Sequence, residues 1–140
     1  MSDLLRVFLD ANILFSAAYK INNGFLEFWS TPGLTAMTSF YAAQEARRNC
    51  HGQEHRRRLE SLLAQTVIVS DATDSTLPRP ITLPDKDRPI LVAAINAGAD
   101  YLITGDKGHF SPWMNQPIDT RHGTITVMEP RPFLDRLKNI

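Results

Sequence analysis

Cysteine is nearly absent: Cys50 is the only one in 140 residues. No disulfide can form within the chain, and a reducing compartment, the cytoplasm, is the expected setting. No histidine and acid are arranged around Cys50, so it reads as a passive thiol rather than a nucleophile. An excess of charge of either sign is also missing. Fifteen Lys and Arg balance fifteen Asp and Glu, so net charge neither indicates nor excludes a nucleic acid, and only its distribution is informative. There is no long apolar run, and the opening residues carry Asp3 with a single early basic residue. The sequence therefore predicts neither a secretory signal nor a membrane span. Internal repeats and low-complexity tracts are absent too. What is present is 43% hydrophobic and 21% charged, the balance of a globular chain, long enough to bury a core in one domain over residues 1–140.

The pattern of apolar runs alternates between strand and helix. Val7, Phe8 and Leu9 form a continuous apolar run, as in a strand covered on both faces, and it ends on Asp10. Ile13, Leu14 and Phe15 then begin a helix. Asn22-Asn23-Gly24 reads as a turn. Phe25, Leu26, Phe28 and Trp29 follow at helical spacing, as core. Leu34–Met37 is a second strand, with Thr38 and Ser39 available to cap a helix from Phe40 to about Asn49. His51-Gly52 ends that helix, and a polar one runs from about Gln53 to Ala64, with Glu54 and Arg58 spaced for an i,i+4 pair. Thr66–Val69 is a short third strand. Asp71 to Pro89, with four prolines, is an extended connection. A helix rich in Leu91, Val92, Ala93, Ala94 and Ile95 leads to Gly98, then to a fourth strand, Tyr101–Ile103. Gly108 to Gly123 reads as loop, Thr124–Val127 as a fifth strand, and Pro132–Leu137 as a closing helix. The expectation is an α/β fold with a parallel sheet of about five strands, order 3-2-1-4-5, flanked by helices.

Four acids stand out by position. Asp10 ends the first strand, Glu45 lies in a helix otherwise lined by alanines, Asp87 opens the helix before strand four, and Asp106 follows that strand. Each has a plainer use. Asp10 and Asp87 suit helix N-caps, with Asp85 competing for the same cap. Glu45 suits a solvated face beside Arg48 or Asn49, and Asp106 suits a turn. Together, however, they fall at one sheet edge. If strands one and four are neighbours, Asp10 and Asp106 meet where ligands bind in an open parallel sheet. Crowded carboxylates raise each other's pKa unless a cation neutralises them. Oxygen ligands without thiolates, and with few histidines, favour Mg2+ or Mn2+, which would activate a water and stabilise charge on a phosphoryl oxygen.

Basic residues cluster as Arg47, Arg48, Arg56, Arg57 and Arg58, interleaved with His51 and His55. This is either an RNA-tracking patch or a solvated helical face. Lys107 and His109, just past Asp106, are placed for substrate contact. His109 and Phe110 serve equally well as local packing.

From Val7 to about Leu134 the sequence resembles the PIN domain, the family of metal-dependent ribonucleases that includes toxins of the VapC type. The resemblance rests on KDRPILVAAINAGADYLITGDKGHF and on the opening VFLDANILFSA. It implies an acidic quartet at Asp10, Glu45, Asp87 and Asp106, with Asn12 and Thr104 as supporting polar positions. Asp10, Asp106 and Glu45 would hold Mg2+ or Mn2+, and Asp87 would ligate it or orient the attacking water. The implied activity is endoribonucleolytic hydrolysis of RNA leaving a 5′-phosphate, by the toxin of a type II toxin–antitoxin pair. The partners it implies are RNA, an antitoxin protein that holds the toxin inactive, and a second copy in a homodimer. Lys107, His109, Arg47 and Arg48 are the candidate RNA contacts. A PIN-fold module that binds RNA or protein without cutting is the alternative. A phosphoacceptor receiver domain would want an acidic pair after the first strand, and a haloacid-type phosphatase an Asp-x-Asp. Asn12 answers to neither.

Overall fold

The structure is a computed structural model and describes residues 5–72 and 76–138. Six strands form one sheet in the order β3-β2-β1-β4-β6-β5. The central strand is β1 (Leu5–Leu9), whose Val7, Phe8 and Leu9 are fully buried. It pairs in parallel with β2 (Leu34–Ser39) on one side and β4 (Tyr101–Ile103) on the other. β3 (Val67–Val69) extends the sheet beyond β2, and β6 (Gly123–Met128) lies parallel to β4. The expected order therefore holds, with the anticipated fifth strand appearing as β6.

A sixth strand, β5 (Pro117–Thr120), pairs antiparallel with β6 inside the stretch expected to be loop. It sits at the sheet edge, where a proline at the first position costs no ladder bond. Only Ile118 of its four residues is buried.

The helices are α1 (Ala11–Tyr19), α2 (Glu27–Ser30), α3 (Phe40–Arg48), α4 (Gly52–Leu63), α5 (Arg88–Asn96), α6 (Lys107–Phe110) and α7 (Pro130–Lys138). Helix α1 packs against α3 and α4, and α5 packs on β2 and β4. Ser39 caps α3, its hydroxyl accepting from the Ala42 amide at 3.1 Å. Gly98 takes a left-handed φ of 70° just past α5, the conformation that ends a helix at low cost in glycine. Phe28 of α2 stacks on Phe133 of α7 at 5.9 Å between centroids, and Tyr101 of β4 meets Phe133 edge-on at 4.9 Å, so both helices are fixed to the sheet by aromatic contacts. Among the described residues, no helix is long and apolar enough to cross a membrane.

This topology creates the crevice that matters. The chain leaves β1 for β2 on one side and returns to β4 on the other, so the carboxyl ends of β1 and β4 open onto a gap no connection fills.

Candidate active site

All four acids line one cleft of about 500 Å³, together with Ala11, Asn12, Phe15, Ala46, Asn49, His51 and Lys86. Asp10 and Asp106 arrive from the ends of β1 and β4, Glu45 from α3, and Asp87 from the start of α5. The capping readings and the site reading turn out to be compatible. Asp10 caps α1 through Oδ1, which accepts from the Ala11 amide at 2.7 Å, and Asp106 caps α6, its Oδ1 accepting from the His109 amide at 3.2 Å. Asp87 occupies the N-cap position of α5, yet its side chain makes no capping bond. Asp85 is exposed and ion-paired to Arg88.

Asp10 is held by residues distant in sequence. Its Oδ2 accepts from the buried Thr104 hydroxyl at 2.8 Å, and that same oxygen of Thr104 accepts from the Asp106 amide at 3.0 Å. Asn12 closes the network, its Oδ1 accepting from the Gly105 amide at 2.9 Å while Nδ2 reaches Thr104 Oγ1 at 3.4 Å. The two supporting polar positions thus tie the start of α1 to the turn after β4.

Burial pushes the Asp10 carboxyl up from 3.8 to about 6. The Thr104 and Ala11 hydrogen bonds oppose that rise, while Glu45 and Asp87 add to it. Crowding was expected to be the main cause, but for Asp10 removal from water outweighs it. Asp87 is also raised, first by burial and then by Asp106, with His109 and Lys86 pulling the other way.

A compact donor group sits beside Asp10. Asp87, Asp106 and His109 each offer one ligand atom, all within 4.8 Å of one another. His109 Nδ1 lies 2.6 Å from Asp87 Oδ2 and 2.8 Å from Asp106 Oδ2. Asp87 Oδ2 and His109 Nδ1 are both buried, and beyond this close contact neither has a hydrogen-bond partner among the described residues. A buried carboxylate oxygen without a donor is costly. An oxygen-rich donor set with such an oxygen fits a hard divalent cation.

The arginine cluster is largely consumed internally. Arg47 forks onto Glu60 at 2.7 and 2.9 Å, Arg56 joins the same carboxylate, and together they hold Glu60 down to about 2. Arg58 does not pair with Glu54. It donates to the Ala18 and Tyr19 carbonyls at the end of α1, and Glu54 takes Arg57 instead. His55 is buried, accepting from the His51 amide at Nδ1 and facing the Phe15 carbonyl through Nε2, so it is a strut between α1 and α4. Arg48 remains exposed. Lys107 is exposed and 3.5 Å from Glu129, outside the cleft. Lys86, not among the expected residues, lines the cleft, and its position directly before Asp87 was the available signal.

A mostly parallel sheet with carboxylates gathered at its switch point is the architecture of the PIN domain, and the fold of this chain is of that kind. No family model and no curated protein sequence matches the chain. Among solved structures, it is similar to VapBC2 from Rickettsia felis, bound there to a DNA fragment from its promoter, with a TM-score of 0.59 and 15% identity over 88% of this chain and 98% of the other. It is also similar to VapC20 of Mycobacterium tuberculosis, a toxin cleaving the sarcin–ricin loop, with a TM-score of 0.51 and 13% identity over 74% of this chain and 95% of the other. At such identities the likeness is one of fold.

Proposed function

We propose that this chain, as a single PIN domain, is a divalent-metal-dependent endoribonuclease and the toxin of a type II toxin–antitoxin pair. The observation that carries the reading is the convergence of Asp10, Glu45, Asp87 and Asp106 on one cleft, with a buried Asp87 oxygen left without a donor. Asp10, Asp106 and Glu45 would hold Mg2+ or Mn2+, with Asp87 as a further ligand or as the group that orients the attacking water. Bound there, the ion supplies charge neutralisation at the phosphoryl oxygens and a more acidic water.

The chain's own groups do the rest. Thr104 and Ala11 fix the Asp10 carboxylate so that it does not rotate when substrate arrives, and Asn12 holds the Gly105 amide and Thr104 in register. Lys86 offers the cleft a cation for a phosphate. Water adds to phosphorus, the bond to the 3′ oxygen breaks, and the proton passes to that oxygen, leaving a 5′-phosphate. Because Arg47 is committed to Glu60, Arg48 and Lys107 are the better candidates for RNA backbone contacts, with His109 beside the acids. Tyr19 and Ile21, 49% and 73% exposed, present an apolar face suited to an antitoxin protein or to a second copy.

The test is cleavage of end-labelled RNA with Mn2+ or with chelator, by the wild type, Asp10→Asn and Asp106→Asn. Cleavage should need the cation and fall about a hundredfold or more in each variant. A folded Asp10→Asn protein cutting at the wild-type rate would falsify the assignment. Tight RNA binding without cleavage would make the chain a PIN-fold binding module.

A further inference from the structure

The resemblance to PIN nucleases implies an all-carboxylate site, and His109 is not one of its acids. Its geometry here is unlike that of a packing residue. The Nδ1 atom is buried although the side chain as a whole is 38% exposed, so the ring turns its nitrogen inward and its far edge outward. That nitrogen stands 2.6 Å from Asp87 Oδ2 and 2.8 Å from Asp106 Oδ2 without forming a hydrogen bond among the described residues. Adjacent ligands of an octahedral ion, at bond lengths of about 2.1 Å, lie about 3 Å apart. Two of the three separations, 2.6 and 2.8 Å, come close to that spacing, and all three atoms lie within 4.8 Å of one another, as ligands of one centre would. Asp87, only 7% exposed, contributes its buried Oδ2 to the same donor group, where no other side chain or amide among the described residues hydrogen-bonds it. The backbone secures the arrangement, because the His109 amide is already bonded to Asp106 Oδ1.

We infer that His109 Nδ1 is a metal ligand, completing an Asp87–Asp106–His109 donor group that selects Mn2+ over Mg2+. The inference deepens the nuclease reading and rests on its metal site. With its hydrogen on Nε2, the imidazole presents a lone pair at Nδ1. Imidazole suits transition ions, whereas Mg2+ prefers oxygen and keeps its waters, so adding one nitrogen donor to a carboxylate set shifts preference towards Mn2+.

Pulsed electron spin echo spectroscopy of Mn2+ bound to the full chain should show coupling to a directly bound nitrogen. The coupling should vanish in His109→Gln and His109→Asn. Calorimetric titration should give a Mn2+ to Mg2+ affinity ratio that falls about tenfold or more in either variant, with melting temperatures reporting that both remain folded. Mn2+ bound without nitrogen coupling, and with an unchanged ratio in the variants, overturns the inference while leaving an all-carboxylate nuclease intact. Nitrogen-coupled binding without RNA cleavage supports the ligand and sinks the nuclease reading. Failure of the wild type to bind Mn2+ at millimolar concentration overturns the ligand assignment outright.

Discussion

Replacing Asp10 by Asn should stabilise the metal-free protein at neutral and alkaline pH, although the same change should remove the proposed RNA cleavage. Asp10 is 5% exposed and its carboxyl is raised from 3.8 to about 6. A raised folded-state value means that the folded protein holds the proton more tightly than the unfolded chain. The associated stability is complete below 3.8 and is lost as pH rises through about 6. The full displacement corresponds to about 3 kcal/mol at pH 8 and to about half that at pH 5, where the folded form is still mostly protonated. Asn is neutral in both states and escapes this penalty. It brings a cost of its own, since its amide group must face either the Ala11 amide or the Thr104 hydroxyl, both of which now donate to a carboxylate oxygen. One impaired hydrogen bond costs about 1 kcal/mol. The net gain at pH 8 is then about 2 kcal/mol, or a rise in melting temperature of about 5–8 °C for a chain of this size. Melting in excess chelator at pH 5 and pH 8 checks it. The variant should melt higher at pH 8 and close to the wild type at pH 5. A variant that melts lower at pH 8, or one whose shift is the same at both values, would refute the claim that burial of an ionised Asp10 strains the fold.

The competing carboxylates before α5 should separate cleanly: Asp85→Ala should leave RNA cleavage near the wild-type rate, because Asp85 is exposed and pairs with Arg88 outside the cleft, whereas Asp87→Ala should remove most of it. Reversed rates would show that Asp85, not Asp87, serves the cleft. Thr104→Val keeps the shape of a fully buried side chain but deletes a hydroxyl that serves Asp10, Asp106 and Asn12. It should cost about 1.5–3 kcal/mol in chemical denaturation at pH 8, and a loss under about 0.5 kcal/mol would mean that the network contributes little.

Much of this was legible in the sequence, for reasons particular residues make plain. Val7-Phe8-Leu9 and Tyr101–Ile103 announce themselves because strands covered on both faces must be apolar throughout, and an acid immediately after such a strand has few uses. The strand Pro117–Thr120 was illegible because an edge position asks so little: one inward residue, Ile118, and tolerance of a leading proline. The four acids were legible by their place relative to strands and helix starts. The state of the arginines was not, because whether Arg47 meets RNA or Glu60 depends on how α3 packs on α4. Local spacing gave Glu54 two partners in reach, and Arg58 was drawn away by the carbonyls of α1. His109 reads from sequence as packing or as substrate contact. Only the crossing of α5 with the turn after β4 puts Asp87 against it.

The bond from Thr104 to Asp10 spans 94 residues. On the ribosome, at 5–20 residues per second, roughly 5–20 s pass between synthesis of the first acid and synthesis of the hydroxyl that orients it. During that interval the growing chain gains Glu45 and Asp87 but lacks Asp106 and, until its last moments, the strand that carries it to the cleft. On the nuclease reading, a chain assembled in this order would be inert beside the messenger and ribosomal RNA that surround its own birth, and a prematurely terminated fragment would stay harmless. On that reading, dispersing the acids along the chain, rather than grouping them in one loop, would work as a timer: the blade is fitted last.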